Sequence, residues 1–288
     1  MKNKDSSYYV PEQSVWPIIG ALALLFLAFG SLNIEKLWGL IAFIVGITGL
    51  VFMLTGWLWN VTQESDAGLY NRQMDKTFRW GMCWFLISEL FLFGLLIGSI
   101  IHVRFSITPW LAGQSGDASQ LTHYLLWPDF AKHWPLIKPP GSTVAASIPS
   151  LASMRQIPLI NLIILLSSAL LLTDSLYHLK KMRYKLCRIT LNIAIFLACI
   201  FLISQTLYFF HLIHAHIIAK SGVYGSFLIA FLGLHLINIV AALLFLCILC
   251  IRIYKNKLLE NNMFSFDAAV WWWDFLAAVW ALGFFWIF

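Results

Sequence analysis

The chain has 288 residues, of which 60% are hydrophobic and only 11% are charged. Soluble domains carry about 25% charged residues, so this composition excludes an ordinary soluble domain and indicates a polytopic membrane protein. The net charge of +6 does not indicate nucleic-acid binding. The basic residues cluster in short segments beside apolar runs, where they orient a membrane protein and contact anionic lipid.

Seven apolar runs are long enough to cross a bilayer, and they predict an all-α protein with seven transmembrane helices. In chain order the runs cover residues 15–32, 37–59, 79–102, 157–178, 189–211, 222–251 and 268–288. A short turn joins the first two runs, which predicts an antiparallel helical hairpin. We therefore divide the chain into an N-terminal tail with this hairpin, residues 1–60, and a bundle of five helices, residues 61–288.

The longest segment between spans covers about residues 103–156 and is rich in Pro, Gly and Ser. We interpret it as an ordered loop outside the membrane with little regular structure. With the N-terminus on the cytoplasmic side, most Lys and Arg residues fall on that side, including the cluster at 180–188. Because cytoplasmic loops are enriched in basic residues, the sequence predicts a cytoplasmic N-terminus, an external C-terminus and an external 103–156 loop.

The third span carries a single acid near its centre, Glu89, whose helical neighbours three and four positions away are all apolar. A carboxyl group is costly at that depth, so it usually faces other helices and has a functional role. Desolvation favours the neutral form, which can donate one hydrogen bond. We expect its partner to be His235 or Asn238, which lie one turn apart on the sixth span. The structural alternative is a protonated glutamate that only joins two helices.

Residue patterns for a catalytic or redox centre are missing from the sequence. Haem or copper would need paired histidines on facing helices, or thiolates with His and Met in a β-domain. The HLIHAH cluster at 211–216 could bind a metal, but such clusters are more typical of a polar cap at the membrane interface. We expect Asp174 to be neutralised locally by His178, four residues later, and by Lys180 and Lys181. Asp274 faces either the bundle or the inner interface.

Five segments carry a resemblance to a known family. They are YYVPEQSVWPIIGAL, RWGMCWFLISELFLFG, IPLINLIILLSS, SGVYGSFLIAFLGLH and VWWWDFLAAVW. Their order and spacing cover nearly all of the chain except the long loop. In these segments the chain resembles subunit III of the haem–copper cytochrome c oxidases, as a divergent member. The resemblance implies seven spans, with the first two splayed from the other five to leave a lipid-filled cleft.

The resemblance also implies a function and a set of partners. It implies a non-catalytic subunit of a proton-pumping oxidase in aerobic respiration, without haem or copper of its own. Those cofactors are expected in partner subunits I and II, with subunit I as the main contact. The resemblance implies a bacterial plasma membrane, with the mitochondrial inner membrane as the alternative.

Three residues receive roles by the same resemblance. Glu89 corresponds to the buried, carbodiimide-reactive glutamate of the family, which is linked to proton uptake. Arg79, at the start of the third helix, and Arg252, at the end of the sixth, occupy positions where family arginines hold lipid phosphates. Arginine suits that role because its guanidinium can pair with phosphate through two hydrogen bonds. Bound phospholipid is therefore the expected ligand of this chain.

The chain departs from the family pattern at several buried polar positions. The family's Gln-x-x-Glu appears here as Gln205 followed by Tyr208, and Leu232 replaces the first His of FHGLH. Asp274 replaces a His and Ala277 replaces an Asp in the last span. These exchanges affect the details of any polar network.

Two other functions remain as alternatives. One is the corresponding subunit of a quinol-oxidising oxidase, which typically has five spans, whereas this chain has an additional N-terminal hairpin. The other is a stand-alone transporter, which would typically show broken helices, an inverted repeat or several charges at the membrane midplane.

Overall fold

The structure is a computed structural model that describes residues 13–70, 72–136, 140–141, 151–214, 222–255 and 263–288. These residues form helices and, within the described ranges, no strands. In chain order the α-helices are α1 (Trp16–Leu32), α2 (Leu37–Asp66), α3 (Arg72–His102), α4 (Thr108–Leu111), α5 (Asp117–Leu126), α6 (Leu151–Lys180), α7 (Tyr184–His214), α8 (Val223–Tyr254) and α9 (Phe264–Trp286). A π-helical turn, Val103–Ile107, connects α3 to α4.

Six of these helices are long and apolar enough to cross a membrane, and α1 is a shorter apolar helix of 17 residues. Several helices extend beyond the predicted spans: α2 ends at Asp66 rather than 59, and α3 begins at Arg72 rather than 79. Likewise α6 begins at Leu151 rather than 157. Hydropathy detects only the apolar part of a helix that lies within the hydrocarbon core of the bilayer. The helix itself continues into polar turns beyond that part, because its backbone hydrogen bonds do not depend on apolar side chains.

The prediction of little regular structure after the third span is wrong for residues 103–126. There the chain continues from α3 through the π-helical turn into α4 and then forms α5. Apolar side chains keep this extension in contact with the bundle, because the rings of Phe105 and Trp286 lie 6.2 Å apart, edge to face. Part of the second half of the predicted loop lies outside the described residues.

The chain divides into two compact units, Met1–Arg79 and Trp80–Phe288, and the division falls within α3. The domain boundary that we proposed from the sequence, after residue 60, remains a prediction.

In the first unit, glycines bring α1 and α2 together at backbone distance. A Cβ atom placed on Gly30 would lie 2.3 Å from the backbone nitrogen of Phe43. One on Gly46 would lie 2.5 Å from the backbone nitrogen of Leu27. Real side chains do not approach so closely, so glycine is required at both positions. Small residues of this kind are the usual means by which membrane helices pack closely.

The second unit has a core rich in aromatic residues. Trp273, Trp280, Phe201 and Phe231 are fully buried, and so is His235. The ring of Trp280 lies 5.6 Å from that of Phe201, edge to face, and its Nε1 donates a 3.2 Å hydrogen bond to the Pro158 carbonyl of α6. Through these two contacts Trp280 of α9 packs against α7 and hydrogen-bonds to α6.

Polar side chains hold α6 against α7. Asn161, Ser168 and Ser175 are each fully buried and follow one another at intervals of seven residues, which places them on one face of the helix. The Ser168 hydroxyl donates to the carbonyl of Ala194 at 2.9 Å, and the Ser175 hydroxyl donates to the carbonyl of Cys187 at 2.9 Å. Each serine therefore bonds across the helix pair rather than within its own helix.

The two ends of the second unit are closed by different contacts. At one end Lys180 of α6 forms a 2.8 Å ion pair with the nearly buried Asp267 of α9. At the other end the side chain of Arg155 donates a hydrogen bond to the carbonyl of Phe288, and the rings of Trp134 and Tyr224 lie 5.4 Å apart. Helices α6 and α9 therefore run antiparallel along their whole length.

Candidate functional site

Aromatic side chains fix which face of α3 meets the rest of the second unit. The ring of Phe85 lies 5.1 Å from that of Trp272 on α9, and the ring of Phe93 lies 5.9 Å from that of Phe231 on α8. Glu89 lies four residues after Phe85 and four before Phe93, and residues four apart share a helix face. The aromatic contacts therefore bring Glu89 to the side of α3 that faces α8 and α9.

Glu89 lies well inside the helix, ~25 Å from Arg72 and ~20 Å from His102 along α3. Its carboxyl oxygen Oε2 is buried and makes no hydrogen bond within the described part of the chain. The side chain of Asn238 on α8 lies near the carboxyl group. Of the two residues expected as partners, Asn238 is the one near the Glu89 carboxyl group, and a hydrogen bond between them remains a prediction.

The other expected partner, His235, is directed elsewhere. Its Nε2 lies 3.1 Å from the carbonyl oxygen of Leu276 on α9, which indicates a proton on that nitrogen. Rings of Phe93, Phe201 and Trp280 surround the imidazole at centroid distances of 6.2, 5.8 and 5.0 Å. The buried Nδ1 has no hydrogen-bond partner among the described residues. His235 is thus oriented by α9 and enclosed by aromatic rings.

Asn238 suits a carboxyl group that changes its protonation state. The residue is nearly buried, and its Nδ2 donates a 3.3 Å hydrogen bond to the carbonyl of Leu234 on its own helix. An amide offers both donors and an acceptor, so it can bond an ionised carboxylate through its NH₂ group or a protonated carboxyl through its oxygen. In either protonation state of Glu89, Asn238 can therefore offer the matching donor or acceptor.

The two arginines expected to bind lipid lie in different units of the chain. Arg79 pairs with Asp75 one turn earlier, with 2.9 Å between Nε and Oδ2, and both side chains are more than one-third exposed. Arg252 lies in the last turn of α8 and is half-buried.

A buried amide network joins α6 and α7, and the sequence analysis did not predict it. Asn161 donates to the side-chain oxygen of Gln205 at 3.1 Å and accepts a 2.6 Å hydrogen bond from the hydroxyl of Ser204. Nε2 of Gln205 is buried without a partner in the described part of the chain. The regular spacing of Asn161, Ser168 and Ser175 in a mostly apolar run was the sequence signal that could have revealed this contact.

The positions that depart from the family pattern have different environments. Tyr208, Leu232 and Ala277 are buried in the second unit. Asp274 is exposed on α9, and the Thr173 hydroxyl on α6 lies 3.4 Å from its Oδ2. The sequence left open whether Asp274 faces the bundle or the interface, and the structure places it on the surface of the chain.

Two further expectations concern the histidines. Of the residues expected to neutralise Asp174, His178 lies beside it, with 3.3 Å between Nε2 and Oδ2, whereas Lys180 pairs with Asp267. In the 211–216 cluster, residues 215 and 216 lie outside the described part of the chain. Among the described residues, groups of three or more His, Cys, Asp or Glu side chains with metal-binding geometry do not occur.

The fold first identifies the class of protein. Long helices with apolar surfaces, one of which carries an acid within its span, are typical of a polytopic α-helical membrane protein. A family model for cytochrome c oxidase subunit III matches residues 6–116 and 143–288. The chain therefore belongs to the cytochrome c oxidase subunit III family, as a divergent member, and is a subunit of a multi-subunit oxidoreductase complex.

Individual relatives agree with the family. Proteins described as cytochrome c oxidase subunit 3 from Osphranter robustus, Latimeria chalumnae and Homo sapiens are each 26% identical to this chain over 281 residues. Each alignment covers 97% of this chain and 95% of the relative. The comparisons do not favour the quinol-oxidising or transporter alternatives.

Proposed function

We propose that this chain is an accessory subunit of a proton-pumping cytochrome c oxidase, without a redox centre of its own. It stabilises the haem-bearing subunit I, its main contact, and supports proton uptake into that subunit. Subunit II belongs to the same complex. We place it in a bacterial plasma membrane, or alternatively the mitochondrial inner membrane, with a cytoplasmic N-terminus and an external C-terminus. The basic 180–188 segment between α6 and α7 supports this orientation.

The observation that carries the proposal is the position of Glu89. A single carboxyl group lies deep within the span, beside Asn238 and with its Oε2 atom buried and unpaired in the described chain. An acid at that depth is costly and typically belongs to an ion or proton pathway. Because Asn238 can bond both protonation states, Glu89 can act as a proton-exchanging group while the redox chemistry takes place in another subunit.

Two substitutions at Glu89 test this role in the purified complex. Glu89→Gln keeps the size of the side chain and its capacity to donate and accept hydrogen bonds, but it cannot ionise, so haem content and oxygen reduction should stay close to wild type. The number of protons pumped per electron, or survival under turnover, should fall. Glu89→Leu should also destabilise the chain by about 1–3 kcal/mol, because Asn238 loses its polar neighbour.

The neighbouring residue Ser88 provides a control for these measurements. Its hydroxyl donates 2.7 Å to the carbonyl of Phe85 within α3, so Ser88→Ala should change neither pumping nor lifetime. If Glu89→Gln abolished oxygen consumption in a complex with full haem content, Glu89 would belong to the chemistry and the accessory role would be wrong. If the wild-type chain did not co-purify with haem-bearing subunits, the assignment to an oxidase complex would be overturned.

We also propose that Arg79 and Arg252 each hold a phospholipid headgroup. An arginine guanidinium can pair with a phosphate through two hydrogen bonds, which is the physical reason for assigning this role to both residues. Replacing both arginines with Ala should remove tightly bound phospholipid, measured by native mass spectrometry, and shorten the working lifetime of the oxidase. The pair Lys181→Ala and Arg183→Ala removes the same charge from exposed positions and should leave bound lipid unchanged. Equal lipid counts in the two double variants would contradict the assignment.

A further inference from the structure

Asp274 is a carboxyl group that faces outward from the second unit within a membrane span, and Asp174 of α6, which pairs with His178, is a second one. Asp274 is the eleventh residue of the 23-residue helix α9 and is exposed on the surface of the chain. Along the helix it lies ~10 Å from Asp267, whose ion pair with Lys180 marks the end of the bundle. It lies ~18 Å from Trp286 at the other end of α9. The carboxyl group is therefore well inside the apolar stretch.

The surface around Asp274 is continuous across α6 and α9. We call it the 173/274 face and define it by six exposed residues: Leu166, Leu170, Thr173, Asp274, Ala278 and Leu282. The contact between Thr173 and Asp274 fixes the register of the two antiparallel helices. Leu170 and Leu166 of α6 then lie level with Ala278 and Leu282 of α9. The face presents four apolar side chains and the Thr173 hydroxyl around the Asp274 carboxyl group, and the exposed Asp174 beside it is paired with His178.

The described chain satisfies this carboxyl group poorly. It receives a hydrogen bond from the Thr173 hydroxyl at 3.4 Å, which is longer than the 2.5–3.0 Å typical of hydroxyl donors. Acids within membrane spans almost always face other helices or a water-filled cavity, because lipid tails offer no hydrogen bonds. An outward-facing acid in a subunit of a larger complex therefore indicates a contact with a neighbouring helix.

A second feature of the face suits a helix as its partner. Ala278 lies one turn beyond Asp274 on the same face and is exposed. Small residues allow two membrane helices to approach closely, and a polar side chain beside them can then hydrogen-bond across the contact. The carboxyl oxygens are acceptors, and the Thr173 hydroxyl is the one donor among the other five residues of the face, so a partner helix must supply any further donor.

We propose that the 173/274 face is the docking surface for a transmembrane helix of another oxidase subunit. That helix carries a hydrogen-bond donor that meets Asp274 while its backbone packs over Ala278. This inference rests on the proposed function, since it takes the partner from the oxidase complex. It adds the place of contact and the chemistry that the partner must present.

Photo-crosslinking in the intact complex tests the docking surface directly. A photoreactive amino acid at position 278 leaves Asp274 unchanged and should form a covalent adduct with another subunit of the oxidase. The same amino acid at Ile203, which is 61% exposed on α7 and lines an apolar groove, should label mainly lipid. Adducts at 278 that contain only lipid, or a second copy of this chain, would overturn the proposal.

Substitutions at Asp274 measure the strength of the contact. Asp274→Asn keeps a hydrogen-bonding oxygen and should retain the partner subunits during detergent dilution. Asp274→Leu should weaken retention by about three- to twentyfold, the range expected for one hydrogen bond between membrane helices. Equal retention in the two variants would overturn the role of the carboxyl group.

The outcomes also separate this inference from the proposed function. If haem-bearing subunits co-purify with the wild-type chain while position 278 labels only lipid, the docking surface is wrong and the accessory role stands. If the wild-type chain brings no haem with it, the accessory role itself fails.

Discussion

The hairpin of α1 and α2 and the bundle of α6 to α9 are both apolar helices, yet they are held together in different ways. In the hairpin, Gly30 and Gly46 let the backbones touch, and most other side chains point away from the helix pair. In the bundle, large rings such as Trp273 and Trp280 fill the interior, and buried polar side chains such as Asn161 bond between helices.

This difference follows from the membrane as a solvent. Lipid tails are as apolar as leucine, so burying leucine against leucine gives little driving force between membrane helices. Two helices can then associate by close backbone packing, which needs glycine, or by hydrogen bonds that lipid cannot supply. The hairpin uses the first means and the α6–α7 pair uses the second. The two regions should therefore differ in which substitutions they tolerate.

The largest effect is expected from a bulky side chain in the hairpin contact. Gly30→Leu would place a Cβ atom 2.3 Å from the backbone nitrogen of Phe43, so the helices must move apart. We expect destabilisation of about 3 kcal/mol or more, at the upper end of the overpacking range. Gly94→Leu is the matched control, because a Cβ atom there meets nothing within 4 Å. Unfolding in detergent titrations measures both, and equal stabilities would refute the close hairpin contact.

A smaller effect is expected from breaking the amide network of the bundle. Asn161→Leu keeps the branching of the side chain at Cγ but removes the hydrogen bonds to Ser204 and Gln205 and leaves the buried Gln205 amide unpaired. We expect a loss of about 1–2 kcal/mol in the free energy of unfolding. In a double-mutant cycle, Ser204→Ala should be strongly coupled to Asn161→Leu. Additive effects would show that the two side chains do not interact.

The smallest effect separates hydrogen bonds between helices from those within one helix. Ser168 donates across to Ala194 on α7, whereas the adjacent Ser167 donates to Ile163 on its own helix. Ser168→Ala should therefore cost about 0.6 kcal/mol, the average for a bond between membrane helices, and Ser167→Ala close to nothing. The same unfolding titration measures both variants. A cost for Ser167→Ala equal to that for Ser168→Ala would remove the distinction between the two kinds of bond.

The approximate helix positions and the family could both be predicted from the sequence. Apolar runs of sufficient length mark the spans because a bilayer demands that length, whatever the neighbouring helices are. The acid in RWGMCWFLISELFLFG stood out for the same reason, since a carboxyl group in an apolar run is rare. Helix ends were less accurate, as at α3 and α6, because helical turns in polar surroundings give no hydropathy signal.

Only the tertiary structure decided which face of each helix is inward. A membrane helix is apolar on all sides, so its sequence lacks the polar stripe that marks the outer face of a helix in a soluble protein. For this reason Asn161, which meets Gln205, and Asp274, which faces outward, could not be distinguished beforehand. The choice of Asn238 over His235 beside Glu89 likewise depends on how α8 is rotated against α3 and α9. Rotation is set by packing between helices, such as Phe93 against Phe231, and those contacts join residues far apart in the chain.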